Sequence, residues 1–159
     1  MFKMTITFFL IFLSRATLPG GYTSIPGNLL FEAGKIEFYT RIYNQPFSEE
    51  LLKECLYYER ISHPDVVLRQ ARLETGNYAS QLFKVANNLF GMKTPYLRKN
   101  ASLGEYNNFA LFFHWTDSVK DYFLWQQYYL NLGYNFDNYY CFLQFIGYAE
   151  DPLYIKKIS

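Results

Sequence analysis

HPDVVLRQARLETGNYASQLFKVANNLFGMK, residues His63 to Lys93, is the stretch on which the reading of the fold turns. Pro64 suits the first position of a helix, where its missing N–H would have no intrahelical partner in any case. Val67, Ala71 and Glu74 follow at i, i+4 and i+7 and so share one helical face. Two members of that stripe are apolar, which directs the third toward the same buried side. A carboxyl is costly there: Asp and Glu are seldom fully buried without a partner, and desolvation raises their pKa. Gly76, two residues later, marks a place where helices commonly end in a left-handed turn. The spacing predicts one Glu at the C-terminal end of a core-facing helix, opening onto a loop. That is a favourable position for a general acid; the structural alternative is a Glu that caps or pairs at the helix end.

Working outward, residues 78–86 read as a short helix with Leu82 and Val85 inward, and Asn87 to Lys93 as a loop. Upstream, Ser48 with Glu49 and Glu50 reads as an N-cap followed by acidic first-turn residues, which favour the helix dipole. Leu51, Leu52, Cys55 and Tyr58 supply that helix with a buried side. Residues 17–47 carry Pro19, Gly20, Gly21, Pro26, Gly27, Gly34 and Pro46 without a sustained helical period, and read as a tether with at most a short strand or helix near Lys35 to Tyr43. Downstream, Pro95, Asn100, Gly104, Asn107 and Asn108 are turn formers, so Thr94 to Phe109 is expected to form a short hairpin or an irregular lobe over a cleft. Thr116 as N-cap and Asp117 open a helix to about Leu132, stopped by Gly133, with Val119, Tyr122, Phe123, Gln126 and Leu130 on one stripe. A further helix is expected over about Phe136 to Ile146, and a last one from Asp151 as N-cap and Pro152 at the first helical position.

With 159 residues, one domain with a real core is expected. The net charge of +1, from 15 basic and 14 acidic residues, offers no basic stripe for a nucleic-acid partner. Aromatic content is high, with 16 Tyr, 16 Phe and 2 Trp; tyrosine serves both cores and wet, sugar-binding grooves, because its body is apolar and its tip polar. Lys3, the largely apolar run Met4 to Leu13, and the small Ser14 and Ala16 read as a signal peptide over residues 1–16. The run is too short to span a bilayer, which takes about twenty apolar residues. Export to the outside or the periplasm is therefore expected, with no stable membrane insertion after cleavage. Cys55 and Cys141, with only His63 and His114 and no short ligand spacing, do not make a zinc site. A Cys55–Cys141 disulfide would close a long loop, worth ~4 kcal/mol in the chain-entropy model; two separate buried thiols is the preferred reading. No metal or cofactor is called for.

Four words of the sequence carry a resemblance. Leu73-Glu74-Thr75-Gly76 and Asn87-Asn88-Leu89-Phe90-Gly91-Met92-Lys93 resemble motifs of the glucosaminidase family of peptidoglycan hydrolases (glycoside hydrolase family 73). Trp115 to Tyr122 (WTDSVKDY) is similar to the family's W-x-x-S-V-x-D-Y helix. Tyr148 to Tyr154 (YAEDPLY) is similar to its Y-A-T-D-P-x-Y ending, with Glu150 in place of the usual Thr. The match covers about residues 48–159, the expected catalytic domain. It implies a mainly α, lysozyme-like α+β fold, Glu74 as the catalytic acid and Tyr148 as an active-site residue. It also implies hydrolysis of the β-1,4 bond after N-acetylglucosamine in peptidoglycan glycan strands, by a protein expected to work as a monomer.

Residue chemistry alone supports a glycosidase with one acid. Such cleavage needs a proton for the leaving oxygen and a means of stabilising an oxocarbenium-like transition state. Glu105, the one acid in the 94–109 lobe, is the candidate for a water-activating carboxylate; a solvated turn residue is its structural reading. Without it, the substrate's own acetamido group can attack. Asn88 is expected to hold its loop or the acetamido group, Phe90 to pack against the Glu74 helix, and Tyr154 to anchor the last helix beside the substrate groove. Asp121 is expected to pair within its helix, and Asp117 to cap. Competing readings are a muramidase or lytic transglycosylase, which also use a lone Glu, and a non-catalytic wall-binding protein on the same fold.

Overall fold

The computed structural model describes residues 27–159; the expected signal peptide and the first part of the tether lie outside the described residues. The chain divides into two compact units at Gly34, and the second, Lys35–Ser159, contains the core and the site. Helix α1 (Gly27–Ile42) is longer than the short element expected near Lys35 to Tyr43. Phe38 and Ile42, one helical turn apart, are buried in the core, while Ile36 stays exposed. Apolar residues on more than one side of this helix leave no stripe to read. Its inner end is fastened to α2 (Glu49–Tyr58) through Glu59, which accepts from Lys35 Nζ at 2.9 Å and from the Tyr39 hydroxyl.

Ser48 caps α2 as expected, its Oγ accepting from Leu51 N at 3.2 Å. Leu51, Leu52, Cys55 and Leu56 form its buried side. Burial pushes the Cys55 thiol up to about 12, so it is an inert core group. Cys141 is free and exposed rather than buried. Helix α3 (Pro64–Glu74) starts with Pro64 in the first turn and packs against α2. Helix α4 (Gln81–Ala86) turns Phe83 and Ala86 inward and leaves Val85 exposed, correcting the expected Leu82 and Val85. Six residues are too few to fix a helical phase from pattern; Phe83 is chosen because it meets Phe47 at 4.8 Å and Tyr78 at 6.2 Å.

The lobe contains a hairpin, β1 (Gly104–Tyr106) and β2 (Phe109–Leu111), antiparallel with Gly104 opposite Leu111, Glu105 opposite Ala110 and Tyr106 opposite Phe109. Asn107 and Asn108 both adopt positive φ (51° and 64°), as a two-residue hairpin turn matching strand twist requires. Helix α5 (Trp115–Asn131) is capped by His114, not Thr116: His114 accepts from Thr116 N, and Asp117 accepts from His114 N at 3.2 Å. Asp117 is thus the capping charge expected. Helix α6 (Tyr139–Phe145) is shorter than expected because Asn138 caps it, its Oδ1 accepting from Cys141 N at 3.1 Å. Before α7 (Tyr154–Ile158), Asp151 accepts from Leu153 N at 2.9 Å. Helix α7 packs on both α3 and α6, and α5 on α2. The described residues are mainly helical with one small hairpin, the architecture expected of a lysozyme-like domain.

Asp121 corrects another expectation. Fully buried on α5, it receives both arms of the Arg98 guanidinium (3.0 and 2.8 Å) and the Ala101 N–H (3.0 Å). It ties the lobe to the helix instead of pairing along the helix.

Candidate active site

The end of α3 explains how a carboxyl comes to face an opening. Gly76 (φ +54°) follows the last turn; its N–H donates to Leu73 O at 3.2 Å, and Asn77 N–H donates to Arg72 O at 2.8 Å. This pairing satisfies the end carbonyls and turns the chain sharply away. Thr75, fully buried, locks the turn by donating to Ala71 O and accepting from Tyr78 N. Val67 and Ala71 are completely buried on the same face, so Glu74 emerges from the core at the edge of a cavity.

That cavity has a volume of about 830 Å³, within the ~300–1,000 Å³ of small-molecule sites. Glu74, Phe90, Gly91, Trp125, Tyr129 and Tyr148 are among the residues that line it, and Lys93, Arg98 and Glu150 bring further charge to its wall. Desolvation pushes the Glu74 carboxyl above its ordinary value, and a hydrogen bond from Tyr154 opposes part of the rise. The net direction favours the protonated form, as an acid catalyst needs.

Gly91 brings the loop against this carboxyl. Its φ is +62°, and a Cβ there would lie 3.2 Å from Glu74 Oε2. Asn88 builds the loop: its amide donates to Met92 O and Ala110 O (both 2.9 Å), and its Oδ1 accepts from Phe90 N at 3.3 Å and Met92 N at 3.0 Å. Its hydrogen-bonding capacity is fully used inside the protein, which favours the loop-holding reading over an acetamido contact. Phe90 is buried, packs on Tyr122 at 4.6 Å and offers its carbonyl to the Tyr148 hydroxyl at 3.1 Å. Tyr148 therefore lies at the cavity with its proton already engaged on the loop.

Tyr154 is buried and does not line the cavity; its hydroxyl accepts from Gln70 Nε2 at 3.0 Å and reaches Glu74. It anchors α7, as expected, and also faces the Glu74 carboxyl. Glu105 is exposed on β1 and is not part of the cavity lining. Phe109 does line it, and strand alternation puts Glu105, opposite Ala110, on the other face of the ribbon. The structure thus gathers Glu74, Phe90 and Tyr148 at the cavity, with Tyr154 and Asn88 behind them and Glu105 apart. Trp125 and Tyr129 were not among the candidates. Their signal was a second aromatic stripe, Tyr122, Trp125 and Tyr129, beside the one read as core.

A half-buried carboxyl at the end of a core helix thus faces an aromatic-lined cavity beside a small hairpin lobe. The glucosaminidase family, described as mannosyl-glycoprotein endo-β-N-acetylglucosaminidase, matches residues 52–159. The chain belongs to the glucosaminidase family. The matched region starts inside α2 and runs through α7, so it includes Glu74 and every other candidate named above. Comparison with curated proteins and with solved structures gave no match. Membership places the chain among glycosidase-type hydrolases.

In this glucosaminidase-family chain, Gly91 joins a positive φ to a close approach to Glu74. Gly91→Ala is expected to cost about 1–2 kcal/mol of stability through the left-handed φ and to displace Glu74, slowing turnover by roughly 10²-fold, since an error of about 1 Å can have that effect. Thermal unfolding and turnover on purified wall check the two halves separately; unchanged turnover would show that the loop does not set the position of the acid.

Proposed function

We propose that the protein is an endo-β-N-acetylglucosaminidase that hydrolyses the β-1,4 bond after N-acetylglucosamine in peptidoglycan, with Glu74 as general acid. The observation that carries this reading is Glu74 itself, half-buried at an aromatic cavity with its carboxyl biased toward the protonated form. Trp125, Tyr129 and Tyr148 offer flat apolar faces with polar tips, which suit the alternating faces of a glycan. Export to the cell envelope belongs to the same reading and rests on the Lys3 to Ala16 stretch; so does action as a monomer.

Glu105 lies outside the cavity lining, and this favours attack by the substrate's acetamido oxygen. In that route the carbonyl oxygen bonds to the anomeric carbon as the glycosidic C–O bond breaks, and the leaving oxygen takes the Glu74 proton. Water then opens the cyclic intermediate, giving its proton back to Glu74, and the product keeps the β configuration. Tyr148 and Phe90 shape the site around this chemistry.

Two measurements test the mechanism. NMR of the first-formed product is expected to show the β anomer, and Glu105→Gln is expected to slow turnover by less than about tenfold, well below the roughly 10²–10⁴-fold effect of a lost general base. An α product, with a large Glu105→Gln effect, would restore Glu105 as the base.

A further inference from the structure

Behind Glu74 lies a row of buried polar side chains that the acid's chemistry does not by itself require: Gln70, Tyr122, Gln126 and Tyr139 are at most 2% exposed, and Tyr154 is 6% exposed. They form one connected path. Ser62 N donates to Gln126 Oε1 at 2.9 Å, and Gln126 Nε2 donates to Ser62 O at 3.0 Å and to the Tyr139 hydroxyl at 2.8 Å. The Tyr139 and Tyr122 hydroxyls are 2.7 Å apart, Tyr122 donates to Gln70 Oε1 at 2.7 Å, and Gln70 Nε2 donates to Tyr154 at 3.0 Å. The path ends at the Tyr154 hydroxyl, which faces the Glu74 carboxyl.

The direction of this path follows from donor and acceptor counting. A backbone N–H can only donate, so Ser62 fixes Gln126 with Oε1 toward it and Nε2 toward Tyr139. Tyr122 has one proton and gives it to Gln70 Oε1, which only accepts; Tyr139 must therefore give its own proton to Tyr122. With Gln70 Oε1 occupied, Nε2 faces Tyr154, and Tyr154 keeps its single proton for Glu74. Turning Gln70 over would leave the Tyr139 proton without an acceptor in a dry interior, which is costly.

We infer that this relay, running from the Ser62 backbone through Gln126, Tyr139, Tyr122, Gln70 and Tyr154, aims a donor at Glu74 and fixes which carboxyl oxygen carries the acidic proton. With one oxygen turned toward the Tyr154 hydroxyl, the proton sits on the other. When Glu74 gives up that proton, the same hydroxyl stabilises the carboxylate formed, and aligned hydrogen bonds in a low-dielectric interior strengthen one another. Gln70, Tyr122, Tyr139 and Gln126 are positioning residues; none of them lines the cavity. The inference rests on the reading of Glu74 as the acid.

Other groups around the carboxyl do not supply such a donor. Tyr148 faces Glu74 from the loop before α7, with its proton on Phe90 O. The Gly91 loop brings backbone and apolar atoms. The remaining charged groups of the cavity wall are Lys93, Arg98 and Glu150.

The test is a ¹³C NMR titration of the Glu74 carboxyl in the full chain, with melting temperature and turnover recorded beside it. Tyr154→Phe, which removes the donor, is expected to move the titration to higher pH. Tyr122→Phe, three links away along the path from Glu74, is expected to move it in the same direction by less, and to slow turnover several-fold, up to about tenfold, the worth of one hydrogen bond. Gln126→Met serves as a second interruption should Tyr122→Phe not fold. A folded Tyr122→Phe whose Glu74 titrates as in the wild type would overturn the relay, and so would failure of both near-isosteric variants to fold, which would mark these groups as packing. Absence of wall hydrolysis by the wild type would instead defeat the reading of Glu74 as acid and leave the titration result standing.

Discussion

Glu74→Gln is expected to leave a folded protein that binds glycan and turns it over roughly 10²–10⁴-fold more slowly, the usual worth of a general acid. Gln keeps the size of Glu and can accept from Tyr154 through Oε1, but has no proton to give a leaving oxygen. The same substitution has a signature in stability. Burial raises the folded-state pKa of Glu74 above its unfolded value, so the group's favourable contribution is full below the unfolded pKa of about 4.3 and is lost as pH rises through the folded pKa. Glu74→Gln should therefore melt higher than the wild type at neutral pH, with the difference vanishing in acid. Retention of more than about a tenth of wild-type turnover contradicts the role of Glu74.

Asp121→Asn is expected to be the most destabilising change of its size, at about 3–5 kcal/mol, because it leaves the buried Arg98 guanidinium without a counter-charge. The side chains are 0% and 6% exposed, and the fork geometry is bidentate. Chemical denaturation measures the loss; less than about 1 kcal/mol would class the pair with ordinary surface bridges. Turnover should fall as well, since Arg98 belongs to the cavity wall that the pair holds in place.

The features that could be read in the sequence are those written in local chemistry. Pro64, Ser48, Gly76 and the Asn107-Asn108 turn each fix a backbone geometry within a few residues, and each structure follows. The Val67, Ala71 and Glu74 stripe carried the acid to the cavity for the same reason. Where the deciding contact is distant, pattern fails. Asp121 is chosen by Arg98 and Ala101, more than a helix turn away in the lobe. Phe38 and Ile42 belong to a core that the segment before Ser48 does not announce. Gln70 and Gln126 look like polar intrusions in apolar stripes until Tyr122 and Tyr139 are seen between them. Glu105 was a candidate by spacing, but strand alternation turns it away from the face that Phe109 offers to the cavity.

The most direct test of the central claim is product analysis after digestion of purified peptidoglycan by the wild-type protein. The account predicts fragments with N-acetylglucosamine at the reducing end. Reducing-end N-acetylmuramic acid, a 1,6-anhydro sugar, or no release of fragments would contradict it.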